Sequence, residues 1–144
     1  MFKVSSVKKL NHGTLIFFLA FIFTPFTYVH AQSKPWPVPV DAKNSKNPVT
    51  SNPTSLKEGK TLYSSTCTPC HGVKGKGDGP AAAALDPKPA DHTSAGMLSE
   101  TDGSLFYKIS EGRKPMPQYK TILTANQRWE LVDYIRTLNK SIKK

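Results

Sequence analysis

The stretch 72–98 constrains this chain more than any other. It holds Gly72, Gly75, Gly77, Gly79, Pro80, Pro87 and Pro89, and the only helical signal inside it is a short piece at 81–85. A loop of that length is uncommon inside a compact domain. The surrounding globular part, 54–139, is short as well: roughly 90 residues is small for a self-sufficient hydrophobic core. The chain has only two cysteines, so no disulfide framework makes up the deficit. Both difficulties are resolved if the loop wraps something large that is not protein.

Three helices frame the loop. The first is expected from Thr54–Ser55, where a Pro-Thr-Ser sequence supplies an N-cap, through Leu56, Gly59, Leu62 and Tyr63 towards Cys67. The second covers roughly 101–110, with Leu105, Phe106 and Ile109 apolar, Ser99 or Thr101 as cap and Gly112 as terminator. The third opens on a capping-box pair, Thr124 and Gln127. Trp129, Val132, Ile135 and Arg136 mark one of its sides and Leu131, Tyr134 and Leu138 an apolar face, so it is expected to be largely buried. No segment alternates with hairpin signals at its ends. The domain reads as all-α, three main helices with long loops.

At the end of the first helix stands Cys67-Thr68-Pro69-Cys70-His71, a Cys-x-x-Cys-His haem-attachment signature. Two thiols about one helical turn apart can add to the two vinyl groups of haem, and the adjacent histidine then sits under the iron as an axial ligand. Three other readings compete. A thioredoxin-like redox pair expects strands around it. Cys67 and Cys70 can form a plain disulfide in an oxidising compartment. A zinc site needs two more donors, of which His92 is the remaining candidate.

A low-spin electron-transfer haem takes a sixth ligand, and Met97, Met116 and His92 are on offer. Met116 is flanked by Pro115 and Pro117 in a polar loop between the second and third helices. Prolines on both sides limit its backbone freedom, and such a residue is poor core filler. Met116 is therefore the expected thioether ligand, Met97 core filler and His92 a loop histidine.

The N-terminus places Lys3, Lys8 and Lys9 ahead of an apolar run, followed by Val29-His30-Ala31. This is the layout of a secretory signal peptide, residues 1–31, cut after Ala31. The run is about 15 residues, short of the roughly 20 that span a bilayer, though an uncleaved anchor is the alternative. Residues 32–53 carry Pro35, Pro37, Pro39, Pro48 and Pro53 among Asn, Ser and Lys and read as a flexible extension, with Trp36 expected to pack on the domain surface. The domain proper is then 54–144. The full chain has a net charge of +10, and losing 1–31 leaves 17 basic against 10 acidic residues. An exported chain rarely meets nucleic acid, so the basic balance points to acidic redox partners or an anionic membrane surface. Lys74, Lys76, Arg113, Lys114 and Lys120 flank the two motifs and are expected to form a positive docking rim.

From Leu56 to Leu138 the sequence resembles a class I monohaem c-type cytochrome of the bacterial periplasmic type. The resemblance is carried by Gly59 and Tyr63, Cys-Thr-Pro-Cys-His-Gly72, Gly-Lys-Gly-Asp-Gly-Pro80, Pro-Met-Pro117 and the stretch from Trp129 to Leu138. It implies one covalent haem c on Cys67 and Cys70, with iron held by His71 and Met116. It also implies a first helix crossing the last, so that Gly59 and Tyr63 meet Leu131, Tyr134 and Ile135. The ligand histidine in such proteins donates to a loop carbonyl, for which Pro80 is the candidate. The implied role is a single-electron carrier between respiratory partners outside the cytoplasm, not an enzyme. Alternatives are a haem subunit fixed to a membrane respiratory complex and a gas-binding or catalytic protein with an open iron site.

Overall fold

The computed structural model describes residues 35–140, the side chain of Lys140 excepted. The chain divides into two compact units, 1–32 and 33–144. The expected leader 1–31 and its cut after Ala31 lie outside the described residues. Every regular element described is helical: α1 (Val40–Asn44), α2 (Pro53–Thr66), α3 (Thr68–His71), a 3-10 turn (Ala82–Ala84), α4 (Ala95–Ser99), α5 (Asp102–Glu111) and α6 (Ala125–Lys140). No strand occurs among the described residues, and none of their helices is long and apolar enough to cross a membrane.

Local chemistry sets the helix ends. Asn52 caps α2, its side chain accepting from the N–H groups of Thr54 (2.9 Å) and Ser55 (3.1 Å), while Ser55 Oγ accepts from Asn52 N–H at 3.0 Å. The start lies upstream of the expected cap because Pro53, with its fixed φ and no donor, suits the first helical position. Thr101 caps α5 by accepting from Ser104 N–H at 3.1 Å. Ahead of α6, Gln127 Oε1 accepts from Thr124 N–H (2.9 Å) and Thr124 Oγ1 from Gln127 N–H (3.3 Å), the reciprocal capping box that the sequence shows.

α2 crosses α6 backbone to backbone at Gly59. A Cβ there would lie 2.2 Å from Glu130 O and 3.1 Å from Tyr134 Cβ. One α-helical turn further on, Tyr63 packs its ring 5.2 Å from that of Tyr134 and joins Leu131, Val132, Ile135 and Leu138 in the core. Full burial of a residue such as Leu131 or Val132 contributes about 1.5–3 kcal/mol. Phe106 of α5 stacks on Trp129 of α6 at 4.1 Å. Arg136 ties α4 and α5 to α6: its Nε donates to Asp102 at 2.7 Å, and its guanidinium also reaches the carbonyls of Met97 and Glu100.

The stretch 35–53 departs from the expected flexible extension. It contains α1, which packs against α5, and Val38, which is buried. Thr101 Oγ1 donates to Lys43 O (2.8 Å), and Asn47 Nδ2 donates to Asp133 Oδ1 (2.8 Å). The prolines kept the segment out of long helices, as its composition suggested. They did not prevent it from finding polar and apolar partners on the domain, so the boundary expected at 54 does not separate two parts.

The α2–α6 crossing brings carboxylates together. Burial, the Glu58 charge, a hydrogen bond with Glu58 and the Asp133 charge all raise the Glu130 pKa above its ordinary value. Glu130 Oε2 is buried with no hydrogen-bond partner. A carboxyl whose folded pKa is raised destabilises the fold when ionised, and that cost disappears as pH falls through the raised pKa towards the ordinary value near 4. Glu130→Gln mimics the protonated acid. It is expected to raise the denaturation midpoint at pH 7, with the advantage shrinking as pH approaches 4, measured by guanidinium melts across that range.

Candidate haem site

The cysteine motif begins where α2 ends. Cys67 N–H caps α2 on Tyr63 O at 2.9 Å, and the chain turns at once into α3, with Cys70 N–H (3.1 Å) and His71 N–H (2.8 Å) both donating to Cys67 O. One turn of helix therefore sets the two thiols and the imidazole relative to one another. The carbonyls at the end of α3 need donors, and the glycine-rich loop supplies them by folding back. Gly77 N–H donates to His71 O (2.9 Å), Gly79 N–H to Cys70 O (3.1 Å) and Ala81 N–H to Pro69 O (2.9 Å).

His71 Nδ1 lies 2.9 Å from Ala90 O. A carbonyl can only accept, so Nδ1 carries the proton and Nε2 keeps its lone pair in the neutral ring. Burial lowers the His71 pKa, with the Ala90 contact opposing it, which favours that neutral form. The carbonyl is Ala90's and not Pro80's. Pro80 is exposed, and its neighbours are committed to the end of α3. The loop returns to His71 only at Ala90, two residues before the His92 N–H donates to Gly75 O.

His92 is buried, with its ring stacked on His71 at 4.1 Å and 18°. Its Nδ1 is 3.1 Å from Tyr63 Oη, which donates to Gly72 O at 3.3 Å. Burial, then the His71 charge, lower the His92 pKa to about 3, so the ring is neutral and Nδ1–H donates to the tyrosine. His92 thus backs His71 on the same wall and is a built part of the site, more than the loop histidine the sequence suggested.

Met116 is fixed by more than its prolines. Arg113 and Met116 exchange backbone hydrogen bonds across a tight turn, Arg113 N–H to Met116 O at 3.0 Å and Met116 N–H to Arg113 O at 2.8 Å. Beyond it, Tyr119 N–H donates to Ile109 O (3.2 Å), and Tyr119 Oη donates to Thr66 O (3.3 Å). Burial pushes the Tyr119 hydroxyl up to about 12.

These parts line one open cleft with a cavity of about 180 Å³. Cys67, Cys70, His71 and Met116 all line it, with Leu85, Pro87, Pro89, Ile109, Pro115, Pro117, Tyr119 and Ile135 as mostly apolar walls. A second recess shares Trp36, His71, His92, Arg113 and Met116 with it and adds Met97. Cys67 and Cys70 are not joined in a disulfide, and burial, with the Cys70 charge, pushes the Cys67 thiol up to about 12. Among the described residues no group of three or more His, Cys, Asp or Glu is arranged to hold a metal ion. Two thiols, an imidazole with a fixed tautomer and a thioether on the walls of one apolar cleft fit a flat apolar macrocycle carrying iron.

The cytochrome c family model matches residues 56–139, more than half of the chain. The chain belongs to the cytochrome c family. Its cofactor is covalent haem c with iron, and its chemistry is c-type haem electron transfer. Among solved structures it is similar to a chain of the Kuenenia stuttgartiensis reducing HAO-like protein complex Kustc0457/Kustc0458. That match is 28% identical with a TM-score of 0.56, covering 63% of this chain and 46% of that one. The KustC0563 c-type cytochrome matches at 27% identity and TM-score 0.49, over 56% of this chain and 95% of that one. Cytochrome CL from the marine methylotroph Methylophaga aminisulfidivorans matches at 24% identity and TM-score 0.44, over 60% and 57%. The chain thus spans under half the length of the first of these. No curated protein matches it.

Sequence reasoning missed Tyr119, Ala90 and the built role of His92. Only Tyr119, an aromatic residue two positions past the Pro-Met-Pro turn, left a trace in composition. Ala90 acts through its backbone and leaves none.

Gly75 holds the loop against this cytochrome's core at φ +73°, where a Cβ would stand 2.8 Å from Leu138 Cδ1 and 3.1 Å from His92 Cβ. Gly75→Ala combines a left-handed backbone with overpacking and is expected to cost about 2–4 kcal/mol, read from guanidinium denaturation of the haem-loaded protein.

Proposed function

We propose that this cytochrome is an exported single-electron carrier of the class I monohaem, periplasmic type, in which Cys67 and Cys70 hold the haem by thioether bonds and His71 Nε2 and Met116 Sδ are the axial ligands. The observation that carries this reading is that all four side chains line one apolar cleft. When bound, the haem supplies an iron that takes up and releases single electrons.

The residues around it account for carrier behaviour. The Ala90 carbonyl holds the His71 ring in the tautomer that offers Nε2. The Arg113–Met116 backbone pair and the flanking prolines hold the thioether with little freedom to swing away. With His71 and Met116 both holding the iron, nothing would be left free to bind or react there, in keeping with a carrier rather than an enzyme. Thioether ligation and the apolar walls both favour the ferrous state and raise the potential. Basic residues ahead of an apolar run at the N-terminus support export, and so a place among respiratory partners outside the cytoplasm.

Of the five basic residues in the expected docking rim, Lys74, Lys76 and Lys114 are exposed. Lys120 pairs with Glu111 at 2.7 Å, and Arg113 donates to Pro35 O. The steering charge is therefore carried by Lys74, Lys76 and Lys114, directed at an acidic protein partner, while Lys120, also exposed, is offset by Glu111. A second reading, a subunit held within a larger redox assembly, is favoured by the likeness to a chain of a multi-protein complex. Retention of the mature protein in the membrane fraction after a salt wash would select it.

The first test is spectroscopic. Protein exported from a host with haem-maturation machinery is expected to show a c-type spectrum with the weak red sulfur-to-iron band when oxidised. Met116→Ala is expected to abolish that band, lower the midpoint potential and admit carbon monoxide to the reduced form. Wild-type protein that binds carbon monoxide rapidly at neutral pH would instead mean an open iron site. Steering is tested separately. Raising ionic strength from about 0.01 M to 1 M is expected to slow electron exchange with an acidic partner by roughly tenfold or more, whereas a flat profile removes the rim from the mechanism.

A further inference from the structure

The N-terminal strap reaches the cofactor cleft. Its anchor is α1 on α5, where the backbones approach so closely that a Cβ on Gly103 would sit 2.1 Å from Ala42 O. Thr101 Oγ1 fastens the end of α1 through Lys43 O at 2.8 Å, and Val38 is buried upstream of it. Past Val38 the strap delivers Trp36 to the cleft, where it lines both recesses together with His71 and Met116.

Trp36 is tied to the turn that carries Met116. The Arg113 guanidinium lies over the indole ring, 4.7 Å from its centroid, and Lys108 Nζ lies 5.9 Å away. Arg113 Nη1 donates to Pro35 O at 3.1 Å. Arg113 in turn exchanges both backbone hydrogen bonds with Met116. A continuous set of contacts thus runs from the strap through Trp36 and Arg113 to the backbone of Met116. A cation stacked on a partly buried indole is held by the ring quadrupole, so the side chain and the turn are held together.

We infer that Trp36 is a positioning residue for Met116: through Arg113 it holds the Met turn in place and covers that side of the cleft against small anionic or neutral ligands. This rests on the reading of Met116 as the sixth ligand. The strap is then a working part of the haem site, and its loss affects the iron before it affects the fold.

The test uses the haem-loaded full protein in its ferric form, with cyanide as the probe. Cyanide enters only as the iron–sulfur bond opens, so its rate reads how firmly the thioether is held. Trp36→Ala is expected to bind cyanide about tenfold faster, the loss of a partly desolvated cation–π contact, and to weaken the red sulfur-to-iron band. Trp36→Phe keeps an aromatic face under Arg113 and is expected to restore the wild-type rate and band. Gly103→Ala lies outside the cleft and lifts α1 from α5, so it is expected to speed cyanide entry as well. It decides the matter if Trp36→Ala fails to mature. Wild-type cyanide kinetics in Trp36→Ala, or in Gly103→Ala where that variant alone matures, overturn the inference, as does a failure of Trp36→Phe to rescue. If the wild-type protein itself lacks the red band and takes cyanide at once, the Met116 reading has failed instead, and the two failures are distinguishable.

Discussion

The approach of α2 to α6 at Gly59 is the constraint on which the remaining structure depends. With a Cβ excluded by Glu130 O, the two helices touch backbone to backbone, and everything further along α2 is placed by that contact. Ser55, Gly59 and Tyr63 form one buried stripe, spaced at i, i+4 and i+8, and Cys67 continues it at the helix end. Tyr63 then fixes the His92 ring, His92 stacks on His71, and His71 faces the cleft. The chemistry is positioned by a rigid crossing several residues away from it. The same closeness crowds Glu58, Glu130 and Asp133, an electrostatic cost tolerated for the sake of the geometry.

The long loop illustrates how a small domain satisfies its backbone without sheets. Its glycines let the chain fold back so that its N–H groups meet the carbonyls at the end of α3, after which it returns with Ala90 O at His71 Nδ1. A loop that would be unsupported in an ordinary domain of this size is held at one edge by these bonds and bounded at the other by the haem cleft, to which Leu85, Pro87 and Pro89 contribute walls. On the opposite side the Met116 turn is held between α5, through Tyr119 and Ile109, and the end of α2, through Tyr119 and Thr66. Haem would therefore enlarge the small hydrophobic core around Tyr63, Leu131 and Ile135 that a chain of this length builds by itself.

The strap and the basic residues show why composition alone misleads here. A proline-rich, polar stretch reads as a solvated tether, yet 35–53 contributes buried Val38, a short helix and an indole on the cleft wall. Charge is reassigned in the same way. Arg113 holds Pro35 O and Trp36, and Lys120 holds Glu111, so two of the residues that look like docking charges in the sequence have work within the fold.

The helices and the attachment motif were legible because they depend on local chemistry. Thr124 and Gln127 lie three apart and cap α6 with each other. Gly112 ends α5. Cys67, Cys70 and His71 share a single helical turn. The partner of His71 was not legible, since any residue's carbonyl is chemically the same and only the path of the loop selects Ala90 over Pro80. Nor was the stacking of His92 on His71, or the reach of Trp36 to Arg113, 77 positions away in the chain. Sequence by itself determined the all-α class and the cofactor, because residue type and short-range spacing fix those. Tertiary structure decided which backbone orients the imidazole and which distant side chains close the cleft, because contacts between remote segments depend on how helices cross and loops return, which neither spacing nor composition records.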